Sequence, residues 1–256
     1  MPRHGTPYHA MPRHTPPEIC FFSRSTSGVI SHHNLRMPKA LIDREVNVRQ
    51  GAYLPHWTLA GATYAVCFRL ADSLPQSVVV AWRRERTALL AEAGDAEGRL
   101  TLAVQERLRA LFSTRVEAFL DAGDGGCELR RPELAQCVVD ALSHFDGKRH
   151  RLAAWCVMPN HVHGVVELLG EHPLSSILKS WKGFTGREAN RLLSRTGDFW
   201  QAEYYDHLIR NEAEFVHAVR YVLGNPGKAG LIDWPWVWAS DEARARLASW
   251  HGSPDP

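Results

Sequence analysis

HRLAAWCVMPNHVHGVVELLG, residues 150 to 170, is two apolar, β-rich runs on either side of Met158-Pro159-Asn160. Runs of this length around a tight Pro-Asn connection read as the two antiparallel strands of a hairpin. The second strand opens with His161, Val162 and His163. Successive side chains of a strand point to opposite faces, so the two imidazoles share one face about 6.5 Å apart, while Val162 enters the other. Two imidazoles so placed can share one metal ion, although a His-x-His pair in a strand is also met as a solvated or hydrogen-bonded feature.

Outward from this hairpin the pattern alternates between strand and helix. Upstream, GATYAVCFRLADSLP (61 to 75) carries Tyr64, Val66 and Phe68 on one face of a strand that a Pro-containing turn closes. Residues 77 to 125 have apolar residues at three- and four-residue spacing and read as inserted helices. RPELAQCVVDALSHFDG (131 to 147) has Pro132 at a first-turn position, a stripe of Leu134, Val138, Ala141 and Leu142, and Gly147 to end it. Downstream come a helix with a basic side (PLSSILKSWKGFTGREANRLLSR), a short strand or loop (FWQAEYYDHLIR), and a helix from N-cap Asn211 that is expected to stop before Pro226. Trp234, Trp236 and Trp238 alternate as in a strand and read first as core or sheet-edge packing. Strands mixed with helices, with neither a GxGxxG nor a P-loop, argue for an α+β sandwich rather than a doubly wound sheet.

Composition narrows the rest. At 256 residues, 45% hydrophobic and 23% charged, the chain has enough apolar residues for one good core, and a net charge of +2 neither requires nor excludes a nucleic-acid partner. Five cysteines without close CxxC pairing, and no apolar run of roughly 18 residues, lead to the expectation of a reduced, cytoplasmic protein with no membrane segment. The expected division is a solvated basic arm over 1–50, one domain over 51–240 that includes the 77–125 helices, and a tail over 241–256.

The hairpin needs a third ligand and a reacting group, and the sequence offers one other dense constellation, AVRYVLGNPGKAGL. Tyr221 and Asn225 are four residues apart there, so a helix stacks them on one face: an amide oxygen can complete a metal site beside which a phenol stands. The plainer reading makes Tyr221 part of an amphipathic stripe and Asn225 a helix cap. A phenol with pKa near 10 is a poor base at neutral pH, but as a nucleophile it can take a phosphoryl group into a covalent ester while a metal acts as Lewis acid. Such an ester keeps the energy of the broken phosphodiester and can be passed to another strand.

At these positions the chain resembles the HUH-class single-tyrosine transposases of insertion sequences, and most closely the REP-associated tyrosine transposases. The resemblance runs from about residue 51 to 238, through HWTLAGATYAVCFRLADSLP, RLAAWCVMPNHVHGVVEL, SSILKSWKGFTGREANRLL, FWQAEYYDHLIRNEAEF and RYVLGNPGKAGLIDWPW in that order. It implies a ferredoxin-like α+β fold whose central antiparallel sheet bears the HUH strand. His161 and His163 match the metal-binding pair, Tyr221 the nucleophile, with Tyr204 and Tyr205 as rivals on chemistry alone, and Asn225 the third ligand. It also implies Mg²⁺ or Mn²⁺ as cofactor and single-stranded or hairpin palindromic DNA as partner, cut through a 5′-phosphotyrosine by a monomer or a homodimer. Where the family usually has Asn-Asn-Pro-Val-Lys, this chain has Gly224-Asn225-Pro226-Gly227-Lys228. Gly224 is therefore expected to loosen the end of the helix.

A DNA surface should be basic and aromatic. The expected contacts are Lys179, Lys182 and Arg187, with Trp181, Arg191 and Arg195 beside them, and Arg210, Arg220 and Lys228 around the tyrosine helix. Two other outcomes fit the same residues: a catalytically silent hairpin-binding protein, and a metal phosphodiesterase that uses water and leaves no protein adduct.

Overall fold

The computed structural model describes residues 47–50, 55–93 and 125–251. The proposed arm, except for its last four residues, lies outside them, as do residues 94–124 of the 77–125 insertion and residues 252–256.

The elements in order are β1 (Asn47–Gln50), β2 (Pro55–Thr58), β3 (Thr63–Arg69), α1 (Gln76–Ala93), α2 (Pro132–Ser143), β4 (His150–Val157), β5 (His161–Leu168), α3 (Leu174–Leu192), β6 (Tyr205–Ile209), α4 (Glu212–Lys228), β7 (Val237–Ala239) and α5 (Asp241–Ser249). β1 and β2 pair with each other, and the other strands form one antiparallel sheet in the order β6-β3-β5-β4-β7. Taken as β3-α2-β4-β5-α3-β6, the middle of the chain is the βαββαβ unit of a ferredoxin-like fold, with α1 inserted and β7 added at one edge. The expected α+β architecture with the two histidines on a central strand is thus what forms.

Alternation decides which residues face which layer. Tyr64, Val66 and Phe68 of β3 and Val162 and Val166 of β5 bury against Leu134 and Val138 of α2 and Ile177, Leu178 and Trp181 of α3. Phe68 meets the Trp200 ring edge-on at 4.8 Å, and each such side chain contributes about 1.5–3 kcal/mol by leaving water. Tyr64 is fully buried, and its hydroxyl accepts the Leu59 amide N–H at 2.8 Å, anchoring the chain where it enters the sheet. The opposite face of the sheet packs Ala154, Cys156 and Val165 on Phe215, Val216, Val219 and Val222 of α4 and Ala243 of α5.

The alternation of β4 between the two cores changes phase partway, because its register with β5 slips between Leu152 and Ala154. The extra residue is a bulge that exchanges faces. Leu152 belongs to the first core and Ala154, two residues on, to the second.

Several expectations need correction. α4 does not stop before Pro226 but runs to Lys228 with the proline inside it. Proline removes its own N–H bond and crowds the carbonyl four residues back, but it leaves the bonds of the residues that follow it intact. The turn beyond is held by Ala229 N–H to Asn225 O and Leu231 N–H to Pro226 O, at 3.1 and 2.9 Å, while Pro226 itself is buried. α2 ends at Ser143, four residues before the expected Gly147, which instead serves a left-handed turn (φ 74°). The tryptophan run is not one strand: β7 contains only Trp238, and Trp234 reaches back to donate its Nε1–H to Val157 O at 2.8 Å. Residues 241–249 of the expected tail are helical, and Arg246 ties α5 to Glu212 of α4.

Among the described residues no helix is long and apolar enough to cross a membrane, and Cys67, Cys127, Cys137 and Cys156 form no disulfide with one another.

Candidate functional site

The site begins at the turn between β4 and β5. Met158 N–H donates to His161 O at 2.8 Å across Pro159 and Asn160, and two neighbours hold the turn: Leu70 N–H on Asn160 O (2.8 Å) and Leu129 N–H on Pro159 O (3.1 Å). Asn160 is buried, and its Oδ1 lies 2.7 Å from His161 Nδ1. An amide oxygen only accepts, so Nδ1 carries the proton and Nε2 keeps its lone pair. Asn160 was read from the sequence only as a turn residue; its role in orienting the imidazole follows from its position next to the first histidine.

His161 and His163 face α4 and meet edge to face, ring centroids 4.6 Å apart. Asn211 caps that helix as expected, its Oδ1 accepting Glu214 N–H at 2.9 Å. Three turns on, the Tyr221 ring stands against His163, centroid to centroid 5.2 Å, and Lys228 Nζ lies 4.5 Å over the phenol ring. Asn225, one turn after Tyr221, is fully buried beside His161. The four residues singled out from sequence spacing therefore converge from two elements far apart in the chain.

The electrostatics are those of neutral imidazoles. Burial pushes His161 well below the usual range; the neighbouring His163 and Arg69 push the same way, and the Asn225 side chain opposes them. Burial, aided by the positive charge of Lys228, lowers His163 to about 4. Both rings are thus uncharged at neutral pH, the form that coordinates a metal. The donor set fits a divalent ion: His161 Nε2 and both side-chain atoms of Asn225 are buried with no hydrogen-bond partner, a cost of about 1–3 kcal/mol per group that a bound cation would relieve at the lone pairs. Among the described residues no three His, Cys, Asp or Glu side chains cluster as a metal site; the buried side chain beside His161 is the Asn225 amide.

Two predictions follow. The histidines take up protons more readily unfolded, near pH 6.5, than folded. For His163 this contribution is therefore complete above about pH 6.5 and is lost as pH falls toward about 4; His161 shifts in the same direction. Denaturant unfolding of metal-free protein across this range should lose up to about 3 kcal/mol from His163, at 1.36 kcal/mol per pKa unit, and a His163→Gln variant should show a shallower slope. Second, Gly224 and Gly227 have ordinary helical backbone and nothing within 4 Å of where a Cβ would stand. Gly224→Ala should therefore raise stability by about 0.5–1 kcal/mol in thermal unfolding. Gly224 lies one turn before the end of α4 rather than in its last turn, so the softness it brings falls between Tyr221 and Asn225.

Strand register adds residues that the sequence did not single out. Cys67 and Cys156 sit directly opposite His163 on its two neighbouring strands, and Arg69 sits opposite His161. Arg69 is 5% exposed, with its guanidinium near Glu203. Its only sequence signal was its place on the alternate face of TYAVCFR. Tyr205 pairs with Cys67 and shares the face of the site, whereas Tyr204 lies by Lys182, 6.0 Å from ring to Nζ.

The basic residues divide into two groups. Arg220 and Lys228 are exposed on α4. Arg210 is held by Glu214, Nη2 to Oε1 2.7 Å, so its charge is largely neutralised within the protein. Lys179, Lys182 and Arg187 belong to α3, on the opposite face of the sheet, and line a separate groove of about 500 Å³ with Trp200 and Tyr204. Lys182 is half-buried, donates to Ala202 O at 2.6 Å, and is lowered to about 8 by burial. Trp181 is no surface ring: at 3% exposure it packs on Phe68 and His150 in the core. Arg191 pairs with Glu188, and Arg195 with Asn190.

Residues 133–224 match the family described as Transposase IS200 like. A protein of Escherichia coli described as a REP-associated tyrosine transposase is 31% identical over 120 residues, which cover 42% of this chain and 68% of that one. A Haemophilus influenzae protein, named as a candidate REP-associated tyrosine transposase, is 23% identical over 171 residues, covering 60% of this chain and 87% of its own. A solved REP-associated tyrosine transposase bound to a REP hairpin superimposes with a TM-score of 0.43 at 18% identity, over 75% of this chain and 93% of the other.

Proposed function

We propose, from the premise that the chain belongs to the REP-associated tyrosine transposases, that it is a metal-dependent single-strand DNA endonuclease and strand transferase. Its substrate would be a hairpin-forming palindromic repeat, cut through a 5′-phosphotyrosine at Tyr221. The observation that carries this reading is the convergence of Tyr221 on His163 at 5.2 Å, beside a buried His161 Nε2 and Asn225 amide that meet no partner at full hydrogen-bond geometry.

Mg²⁺ or Mn²⁺ held by His161, His163 and the Asn225 oxygen would supply Lewis-acid polarisation of the scissile phosphate. The protein's own groups do the rest. Tyr221 Oη attacks phosphorus; the phenol proton passes to water, the bond to the 3′-oxygen breaks, and that oxygen takes up a proton to leave a 3′-hydroxyl. Lys228, over the phenol ring, puts a positive charge beside the developing phosphotyrosine, and exposed Arg220 is placed to meet the flanking backbone. Cys67 and Cys156 stand opposite His163 on its two neighbouring strands. Lys179, Lys182 and Arg187, on the far side of the sheet, would serve a duplex stem rather than the cleavage point.

The test is direct. Purified protein is incubated with a labelled single strand carrying a palindromic repeat of its own genome, in Mn²⁺, Mg²⁺ or EDTA, and run on a denaturing gel. A metal-dependent covalent protein–DNA species is expected. Retarded hairpin without any adduct would replace this reading with that of a silent binding protein, and cut strands without adduct with that of a water-using phosphodiesterase.

A further inference from the structure

We propose that the groove between β3, β6 and α4 is a nucleobase pocket for the nucleotide that stays attached to Tyr221. The inference rests on the reading of Tyr221 as nucleophile and adds a binding subsite to it. The groove has a volume of about 650 Å³, within the roughly 300–1,000 Å³ of sites that enclose small ligands. His163 and Tyr221 form one end, and Tyr205, His207, His217 and Trp250 bring flat rings along it over an aliphatic floor that includes Ala65 and Val222. Glu214 also lines it, but its carboxylate is turned to Arg210 and to His207 at 3.3 Å, so the groove does not present a bare negative charge to a nucleic acid.

This composition suits one class of ligand. An unpaired base in a single strand has two apolar faces to remove from water, and ring stacking does so whatever its identity. The direction of the groove selects which base. Ala213, Glu214 and His217 line it, so it leads from Tyr221 toward the start of α4, while Asn225 and Lys228 lie beyond Tyr221 at the other end of the helix. In an in-line attack the phenol oxygen bonds to phosphorus as the bond to the 3′-oxygen breaks, so the departing nucleotide sits on the far side of phosphorus from Tyr221. The retained nucleotide is joined sideways, through its 5′-oxygen. It remains next to the tyrosine after cleavage, at the mouth of the groove, where stacking would hold the covalent half in place until a new 3′-hydroxyl arrives.

The experiment walks a single abasic residue along the palindromic strand, from three nucleotides upstream of the mapped cut to three downstream, and measures adduct yield on denaturing gels. Wild type, Trp250→Ala and exposed-site His217→Ala proteins are compared, each checked for an unchanged unfolding midpoint. The abasic residue immediately downstream of the cut should lower the adduct about 10-fold, more than at any other position. Trp250→Ala or His217→Ala should lower it on the intact strand and add little on that abasic strand, as expected when both changes remove one contact. A scan that is flat at this position, or losses that multiply independently, would overturn the pocket while leaving the wild-type adduct and the transposase reading intact. No adduct from wild type on the unmodified strand overturns both.

Discussion

Tyr221→Phe should abolish the covalent protein–DNA species and lower strand cleavage at least about a thousand-fold, because the change removes the attacking atom and little else. Phenylalanine keeps the edge-to-face contact with His163 and the position beneath Lys228, so the fold and DNA binding should be retained. The informative control is Tyr205→Phe. Tyr205 lies on the same face of the sheet, paired with Cys67 next to His163, and is the nearest rival; its variant should still form the adduct. Tyr204, beside Lys182, is a more distant one. Denaturing gels of the three proteins decide the matter, and an undiminished adduct in Tyr221→Phe would remove Tyr221 from its assigned role.

The second large effect is a trade of stability against metal response at Asn225. Its amide is fully buried and meets no partner at full hydrogen-bond geometry, although it lies close enough to His161 to favour the protonated ring, and burying a poorly partnered group of this kind costs about 1–3 kcal/mol. Leucine has a similar shape and no polar atoms. Asn225→Leu should therefore raise the stability of metal-free protein by about 1–2 kcal/mol while lowering metal-dependent cleavage by about 100-fold or more, since a ligand outweighs the outer-shell partners whose loss costs 10–100-fold. Unfolding with and without Mn²⁺ supplies the check. Wild type should gain stability with metal concentration, as binding to the folded state alone requires, and the variant should gain little. Equal stabilisation of both by Mn²⁺ would show that Asn225 is not a ligand.

Much of this site could be read before the structure. Alternation placed His161 and His163 on one face, Asn211 marked the start of the tyrosine helix, and four-residue spacing put Asn225 one turn after Tyr221. These are local relations, set by the period of a strand or a helix. The failures were of another kind. Pro226 looked like a terminator because, within its own segment, it removes a backbone bond; burial against the sheet and the bonds of Ala229 and Leu231 carry the helix past it. Trp181 looked like a stacking platform beside basic residues, but the helical stripe it belongs to turns into the core. Lys182 and Arg187 follow the histidine strand closely in sequence, yet the crossover of α3 carries them to the other side of the sheet.

By itself, then, the sequence determined the elements that carry the site, which of their residues share a face, and the chemical types that a phosphoryl transfer would need. Tertiary structure alone decided which faces meet. The bulge at Leu152/Ala154 turns Cys156 toward His163, antiparallel register sets Arg69 and Cys67 opposite the two histidines, and the packing of α4 lowers Tyr221 and Asn225 onto them. The physical reason is that a one-residue slip of register reverses every side chain of a strand. Register is chosen by the burial of both sheet faces at once, a sum over contacts between segments that no single segment encodes.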